Sequence, residues 1–257
     1  MSFLAPLQPQ QTCSAAEWAA RVDLAACYRL VELFRMSDLV FNHITAKVPD
    51  EEHRYLINHY GLAYEEVTAS NLVKIDLEGR IVDGGPGEIN PAGFLIHSAI
   101  HAVRDDAACV LHTHSPAATA VSCLPEGFVP MTQGGFQFHG RVAYHDYEGF
   151  ALDEAEKRRL IEDLGTHNVM LLRNHGVITL GGSVAEAFRR LYFLEQACGI
   201  QLEVLKTGRA PRLPAASVAE HTARNWERGD AGIGTSEPRE WQALLRRLDR
   251  LDSGYRS

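Results

Sequence analysis

The chain has 257 residues, 46% of them hydrophobic, and a formal net charge of −8, which suits one large domain with room for a small appendage. An acidic chain without a basic block argues against nucleic acid and against an anionic membrane surface as partners. Five cysteines, odd in number and without a CxxC, point to free thiols in a reducing, cytoplasmic setting, and no signal-peptide pattern or bilayer-length apolar run is found.

Residues 1–13, rich in Gln and Pro, are expected to form a loose arm. SAAEWAARVDLAACYRLVELFRM then spaces Leu24, Cys27, Leu30, Val31 and Leu33 as a helix does, behind a capping box of Ser14 and Glu17. The short pieces NHITAKVP, RYLINHY, LVKIDLEG and RIVDGG, separated by Asp and Gly turns, read as an antiparallel meander. INPAGFLIHSAIHAVRDD predicts a second helix, with Asn90 as N-cap and Pro91 at its first position. ACVLHTHS is a predicted strand, SPAATAVSCL a short helix, RVAYHDY a strand, and LDEAEKRRLIEDLG a helix stopped by Gly165. NVMLLRNHGVITLG predicts a hairpin turning at Asn174-His175-Gly176. SVAEAFRRLYFLEQACGIQLEVLKTG predicts a long helix with a second capping box at Ser183 and Glu186.

Past residue 207, TGRAPRLPAAS resembles a linker, and helices are expected at 214–228 and 237–252. The mixture of elements predicts an α/β fold, with a largely antiparallel sheet between helical layers, over residues 14–207. Residues 208–257 are expected to form a helical extension whose two helices pack on a neighbouring subunit, the last through an apolar face of Trp241, Leu244, Leu245, Leu248 and Leu251.

In the strand 108–115, His112 and His114 lie one residue apart, so both imidazoles leave one face while Thr113 leaves the other. That spacing suits two ligands of one divalent ion, and Ser115-Pro116 ends the strand beside them, at a sheet mouth; the alternative is a pair of hydrogen-bonded surface histidines. The best third ligand is His175, because nothing in a hairpin turn requires an imidazole. His97 and His101 form an i, i+4 pair without the glutamate of HExxH. Here His97 is expected to be a partly buried supporting residue and His101 to be exposed. His139 and His145 stay ambiguous, and His43, His53, His59, His167 and His221 carry no spacing signal. Glu65 and Glu66 read as solvated groups in a turn with a capping threonine. Asp146 and Glu148 fit either a polar shell around His145 or an interface loop.

The ordered segments HYGLAYEEVTASNLVKIDLEG, NPAGFLIHSAIH, CVLHTHSPAATAVS and LLRNHGVITLG resemble the class II aldolase/adducin family over roughly residues 20–205. The likeness is greater to its adducin-like branch than to its sugar-phosphate branch. The resemblance implies a single three-layer α/β/α domain and a three-histidine metal site, carried over onto His112, His114 and His175. It also implies one divalent ion, zinc foremost with manganese or iron as alternatives, and a homo-oligomer, commonly a tetramer, with sites between subunits. In such enzymes the metal polarises a carbonyl or enediolate oxygen and a carboxylate moves the proton. The sugar-phosphate branch carries that glutamate four residues before the position of His97, where this chain has Gly93. Its phosphate-binding serines match Pro91 and Ala92, and its phosphate-contacting threonine matches Tyr60. Asn42 and Gly61 remain matched. Tyr144 lies near the place where aldolases use a tyrosine from a neighbouring subunit.

These readings converge on a metal-dependent lyase that cleaves a carbon–carbon bond next to a carbonyl in a small hydroxy- or oxo-acid or sugar-like substrate. His112, His114 and His175 would hold the metal, Asn42, Tyr60, Gly61 and His97 would surround the substrate, and Tyr144, with Tyr60 and Tyr147 as alternatives, would donate or return a proton. The alternatives are a sugar-phosphate aldolase or epimerase with a displaced acid/base, and a non-catalytic adducin-like interaction domain. Expected partners are a small substrate and further copies of the chain. Nucleic acid, membrane and actin are not expected, the last because the chain lacks the long basic-clustered tail that adducins use on spectrin and actin.

Overall fold

In the computed structural model, residues 13–83, 85, 87–149, 154–228 and 239–257 are described. Helix α1 (Ala15–Leu33) begins where the sequence puts a cap: the Ser14 hydroxyl accepts from the Glu17 backbone N–H at 3.1 Å. The Glu17 carboxylate does not reach back to close the box. It is buried between Arg21 and Lys74, each 2.8 Å away. At the second cap Ser183 accepts from Glu186 N–H at 3.2 Å, and the Glu186 carboxylate accepts from Gly182 N–H, one residue before the cap, at 2.7 Å.

Strands β1 (His43–Lys47), β2 (Tyr55–Asn58), β3 (Leu72–Ile75) and β4 (Ile81–Asp83) form the predicted antiparallel meander. After helix α2 (Pro91–Val103), strand β5 (Cys109–Thr113) pairs antiparallel with β1. Helix α3 (Pro116–Ser122), strand β6 (Ala143–His145) and helix α4 (Glu154–Leu164) precede the hairpin of β7 (Val169–Leu172) and β8 (Gly176–Gly181). Helices α5 (Val184–Lys206), α6 (Ala216–Arg228) and α7 (Arg239–Leu251) follow. The eight strands form one sheet in the order β4-β3-β2-β1-β5-β8-β7-β6, in which β6–β7 is parallel and every other pair antiparallel.

Helices cover both faces, giving the expected α/β/α layering. Alternation along β5 shows how: Cys109 and Leu111 enter the core shared with α1, α3, α5 and α7, whereas Val110 enters the opposite core with Ile96 and Ile100 of α2 and Leu160 of α4. His112 therefore faces α2, and this side of the sheet carries the polar chemistry described below. Among the described residues no helix is long and apolar enough to cross a membrane.

Two expectations change. Helix α7 buries Trp241, Leu245 and Leu248 in the core of its own chain, and Trp241 Nε1 donates to Asp23 of α1 at 3.1 Å. Those three side chains of its apolar face are thus covered within the chain, while Leu251 of the same face is exposed. The tail after it is tied down as well, by Ala69 N–H on Tyr255 O and Ser70 N–H on Ser257 O, both at 2.9 Å. His101, expected to be exposed, is buried, because α2 lays it against Tyr55 with ring centroids 4.4 Å apart. Residues 1–12 of the expected arm, Gly84, the expected helix start at 152–153 and residues 237–238 lie outside the described residues.

Candidate metal centre

The β5–β8 ladder pairs His112 with Ile178 and Thr113 with Val177, so the end of β5 lies beside the start of β8. The β7–β8 turn folds back through Asn174 at φ +58°, a conformation asparagine tolerates, and His175 N–H closes it on Leu172 O at 3.1 Å. Gly176 is required by close approach: a Cβ there would sit 2.5 Å from the Thr113 carbonyl oxygen. These features bring the rings of His112, His114 and His175 into a triangle with every centroid separation 4.9 Å. One ring nitrogen from each lies within 4.8 Å of the others.

The chain fixes the tautomers. His112 Nδ1 is 3.0 Å from the Val177 carbonyl, which can only accept, so Nδ1 carries the hydrogen and Nε2 the lone pair. His114 Nδ1 donates to the Asp38 carboxylate at 2.8 Å and likewise leaves Nε2 free. The two free Nε2 atoms face each other at 3.2 Å. Burial holds the His112 pKa well below the usual value and lowers that of His175 to about 4, with neighbouring histidines adding to both shifts. Converging imidazole nitrogens, two of them backed by an acceptor on the other ring nitrogen, make up a donor set that suits a divalent metal.

A second histidine layer lies behind the first. β1 places His43 directly across from His112, with ring centroids 5.3 Å apart, and His43 touches His97 of α2 at 4.2 Å. Thr45, two residues on and on the same face, binds His97 Nδ1 at 2.7 Å and His101 Nε2 at 2.8 Å through its single hydroxyl. One nitrogen accepts that hydroxyl's proton, and the other nitrogen's N–H donates to its oxygen. His97 Nε2 and both side-chain polar atoms of Asn42 are buried with no hydrogen-bond partner among the described residues. Burial lowers the His43 pKa to about 4.

Position 93 is filled by this layer. A Cβ on Gly93 would meet His43 Cε1 at 2.1 Å and Nδ1 at 2.4 Å, so a side chain and the His43 ring cannot share the space.

Of the expected substrate residues, Asn42 immediately precedes β1 and His97 packs on His43, which places both beside the triad. Tyr60 is exposed, and Gly61 takes φ +93° in the loop after β2. Tyr144 lies on the opposite face of the sheet, where its hydroxyl accepts from Phe128 N–H at 3.0 Å, so it does not join the triad of its own chain. Tyr147 does approach the triad, with its ring 6.5 Å from that of His175. His145 pairs with Asp163 of α4 at 2.7 Å, and Glu148 pairs with Arg159. His139 follows a 3-10 turn at Gly135–Phe138. Glu65 and Glu66 are exposed in a 3-10 turn, where Glu66 caps Ala63 N–H at 2.9 Å.

Sequence reasoning missed His43 and Asp38. The signal for His43 was available only through the β1–β5 register, and Asp38 lies in a stretch between α1 and β1 with no repeating pattern.

The sequence profile described as the Class II Aldolase and Adducin N-terminal domain matches residues 22–202. The chain superposes on the crystal structure of an aldolase II superfamily protein from Pseudomonas syringae with TM-score 0.91 and 45% identity, covering 96% of this chain and 99% of that one. It superposes on L-fuculose 1-phosphate aldolase from Glaciozyma antarctica PI12 with TM-score 0.82 and 27% identity, over 95% and 94% of the two chains. It is 44% identical over 249 residues to alpha-adducin of Rattus norvegicus, spanning 92% of this chain and 34% of that protein, about a third of adducin's length. The triad, the layered antiparallel sheet and these matches agree: this chain belongs to the class II aldolase/adducin family.

Proposed function

We propose that the chain is a divalent-metal lyase that breaks a carbon–carbon bond next to a carbonyl in a small hydroxy- or oxo-acid or a related sugar-like molecule. The observation that carries this reading is the His112–His114 pair. Two imidazole lone pairs held 3.2 Å apart, with their N–H groups committed to Val177 and Asp38, repel each other unless a cation lies among them. His175 supplies the third donor. Zinc is the proposed ion, with manganese and iron as alternatives compatible with neutral imidazoles. When bound, it would supply Lewis acidity toward a carbonyl or enolate oxygen.

The chain's own residues do the rest. Val177 and Asp38 orient the ligand rings, and the Asp38 carboxylate makes His114 a stronger donor. Thr45 fixes the plane of His97 and leaves its Nε2 free beside His43. Asn42, whose polar atoms have no hydrogen-bond partner among the described residues, and His97 would offer hydrogen bonds toward the substrate, and Tyr60 and Gly61 would contact it. The volume a glutamate at 93 would need belongs to His43, so the proton must be moved from elsewhere. Tyr144 would do so from a neighbouring subunit of a homo-oligomer, a tetramer by family resemblance.

The test is metal content together with carbon-acid chemistry. The purified chain reconstituted with zinc should hold one equivalent, and His112→Ala or His175→Ala should lose it. The loaded chain should catalyse exchange of the methyl hydrogens of pyruvate with solvent deuterium, read by NMR. A chain that takes up no zinc, manganese or iron would end this reading.

The 44% identity with alpha-adducin favours a second reading, a non-catalytic interaction domain. Metal uptake without any exchange, together with cosedimentation with F-actin above background, would favour it over the lyase.

A further inference from the structure

We propose that a cleft between α1, α5 and α7 binds a small aromatic carboxylic acid as its anion, at a site separate from the metal centre.

Five rings line this cleft: Phe34 just past α1, Phe188, Tyr192 and Phe193 of α5, and Trp241 of α7. Its volume of about 390 Å³ falls in the range of about 300–1,000 Å³ usual for small-molecule sites. Phe188 and Tyr192 lie one turn apart on α5, with ring centroids 6.3 Å apart and ring planes 25° from parallel. Phe34 meets Tyr192 at 5.0 Å, and Trp241 meets Phe188 at 5.8 Å. Phe188 and Trp241 are buried, whereas Phe34, Tyr192 and Phe193 are half-buried, so the wall is apolar and still reachable. These rings belong to the core under α1, α5 and α7, on the face of the sheet away from α2, which His112 faces.

Charge at the cleft selects the ligand. Arg189, Arg247 and Arg250 line it against one carboxylate, Glu240. Arg189 is 7% exposed, donates from Nε to Glu240 at 2.9 Å, and lies with its guanidinium carbon 4.6 Å from the centroid of the Trp226 ring. Its Nη2 is buried with no hydrogen-bond partner among the described residues. Arg247 and Arg250 are exposed and one turn apart on α7, and neither pairs with a carboxylate of a described residue. The Arg247 guanidinium carbon lies 5.4 Å from the centroid of the Phe34 ring, which holds this cation beside the aromatic wall. Three cations against one carboxylate leave a positive surplus in a chain of net charge −8. A flat apolar body suits the rings, and a carboxylate suits the guanidinium donors. Free phosphate has no use for the rings, and a neutral aromatic has none for the arginines.

The experiment is isothermal titration of the full chain with 2-naphthoate and, separately, with the uncharged 2-naphthalenemethanol, each with and without one equivalent of zinc. The naphthoate should bind wild type with or without zinc, and more tightly than the alcohol. Arg247→Gln combined with Arg250→Gln should weaken it by about tenfold at an unchanged melting temperature. Arg246→Gln, on the same helix but outside the cleft, should leave the affinity as it is. Ala243→Trp, which fills the cleft from an exposed position, should abolish binding with helix content unchanged by circular dichroism. No binding to wild type would overturn the proposal. So would equal affinity for the alcohol, an unchanged affinity in the double variant or in Ala243→Trp, or an equal loss in Arg246→Gln. Binding that needs zinc would move the ligand to the metal centre and overturn it as well. Binding that weakens as protein concentration rises, in step with a larger species in size-exclusion chromatography, would give the cleft to a second copy of the chain instead.

Discussion

Gly93 and His43 occupy one volume: a Cβ on the first would lie 2.1 Å from Cε1 of the second. The absence of a side chain at 93 and the presence of a histidine at 43 are therefore one structural choice. Gly93→Ala should destabilise the fold by about 1–3 kcal/mol through overpacking, and His43→Ala should relieve part of that cost. Urea unfolding of the two single variants and the double variant measures the coupling. Additive effects would show that the two positions do not compete.

Asp38 holds His114 from a half-buried position at the edge of the site, so its loss should act on metal more than on folding. Asp38→Ala should lower zinc affinity by roughly 10- to 100-fold, read by competition with a chromophoric chelator, while the unfolding midpoint of the metal-free chain barely moves. An unchanged affinity would mean that the carboxylate does not support the ligand.

Thr45 serves two buried imidazoles with one hydroxyl. Thr45→Val keeps the volume but leaves His97 Nδ1 and His101 Nε2 without partners, a cost of about 2–4 kcal/mol in denaturant unfolding. A loss under about 0.5 kcal/mol would show that water or a ring flip satisfies them.

Acid should unfold the metal-free chain through the same layer. Burial lowers the pKa of His43 to about 4 and that of His101 to about 3, against a usual 6.5. Above pH 6.5 both are neutral whether folded or unfolded, so neither affects stability. As pH falls below 6.5 the unfolded chain binds protons that the folded chain refuses. Stability should then drop by up to about 1.4 kcal/mol per pH unit for each such histidine, until the folded pKa is reached. Denaturation midpoints measured at pH 7.5, 6 and 5 should fall steadily; a flat profile would contradict the burial of these rings.

Removing residues 239–257 should destabilise the chain at every protein concentration, because Trp241, Leu245 and Leu248 fill its own core. A melting temperature that depends on protein concentration only in the full-length chain would point instead to packing between subunits.

The triad was legible because its spacing is local: two strand residues of one face, and a histidine in a turn that needs none. The caps at Ser14, Asn90 and Ser183 were legible for the same reason, each side chain bonding a backbone N–H three residues ahead. His43 was not legible, since its partners His112 and Gly93 meet it only across a strand pair and beneath a helix. His101 looked exposed because a polar residue near a helix end usually is, and only the Thr45 hydroxyl beneath α2 makes its burial affordable. The placement of α7 followed the same limit. An amphipathic face announces that it needs cover but not whose, and here Phe188 of α5 and Asp23 of α1 supply it.

The ladder between β5 and β8 sets which way His112 looks. Slipping that alignment by a single residue would swing its imidazole to the other side of the sheet, while His175 rides on the hairpin that carries β8. Ion capture would then be a gauge of strand alignment at the centre of the molecule. A chain that retains its metal through purification would have its middle strands in step, and a variant that sheds it while keeping its helices would report a misthreaded sheet rather than a missing ligand.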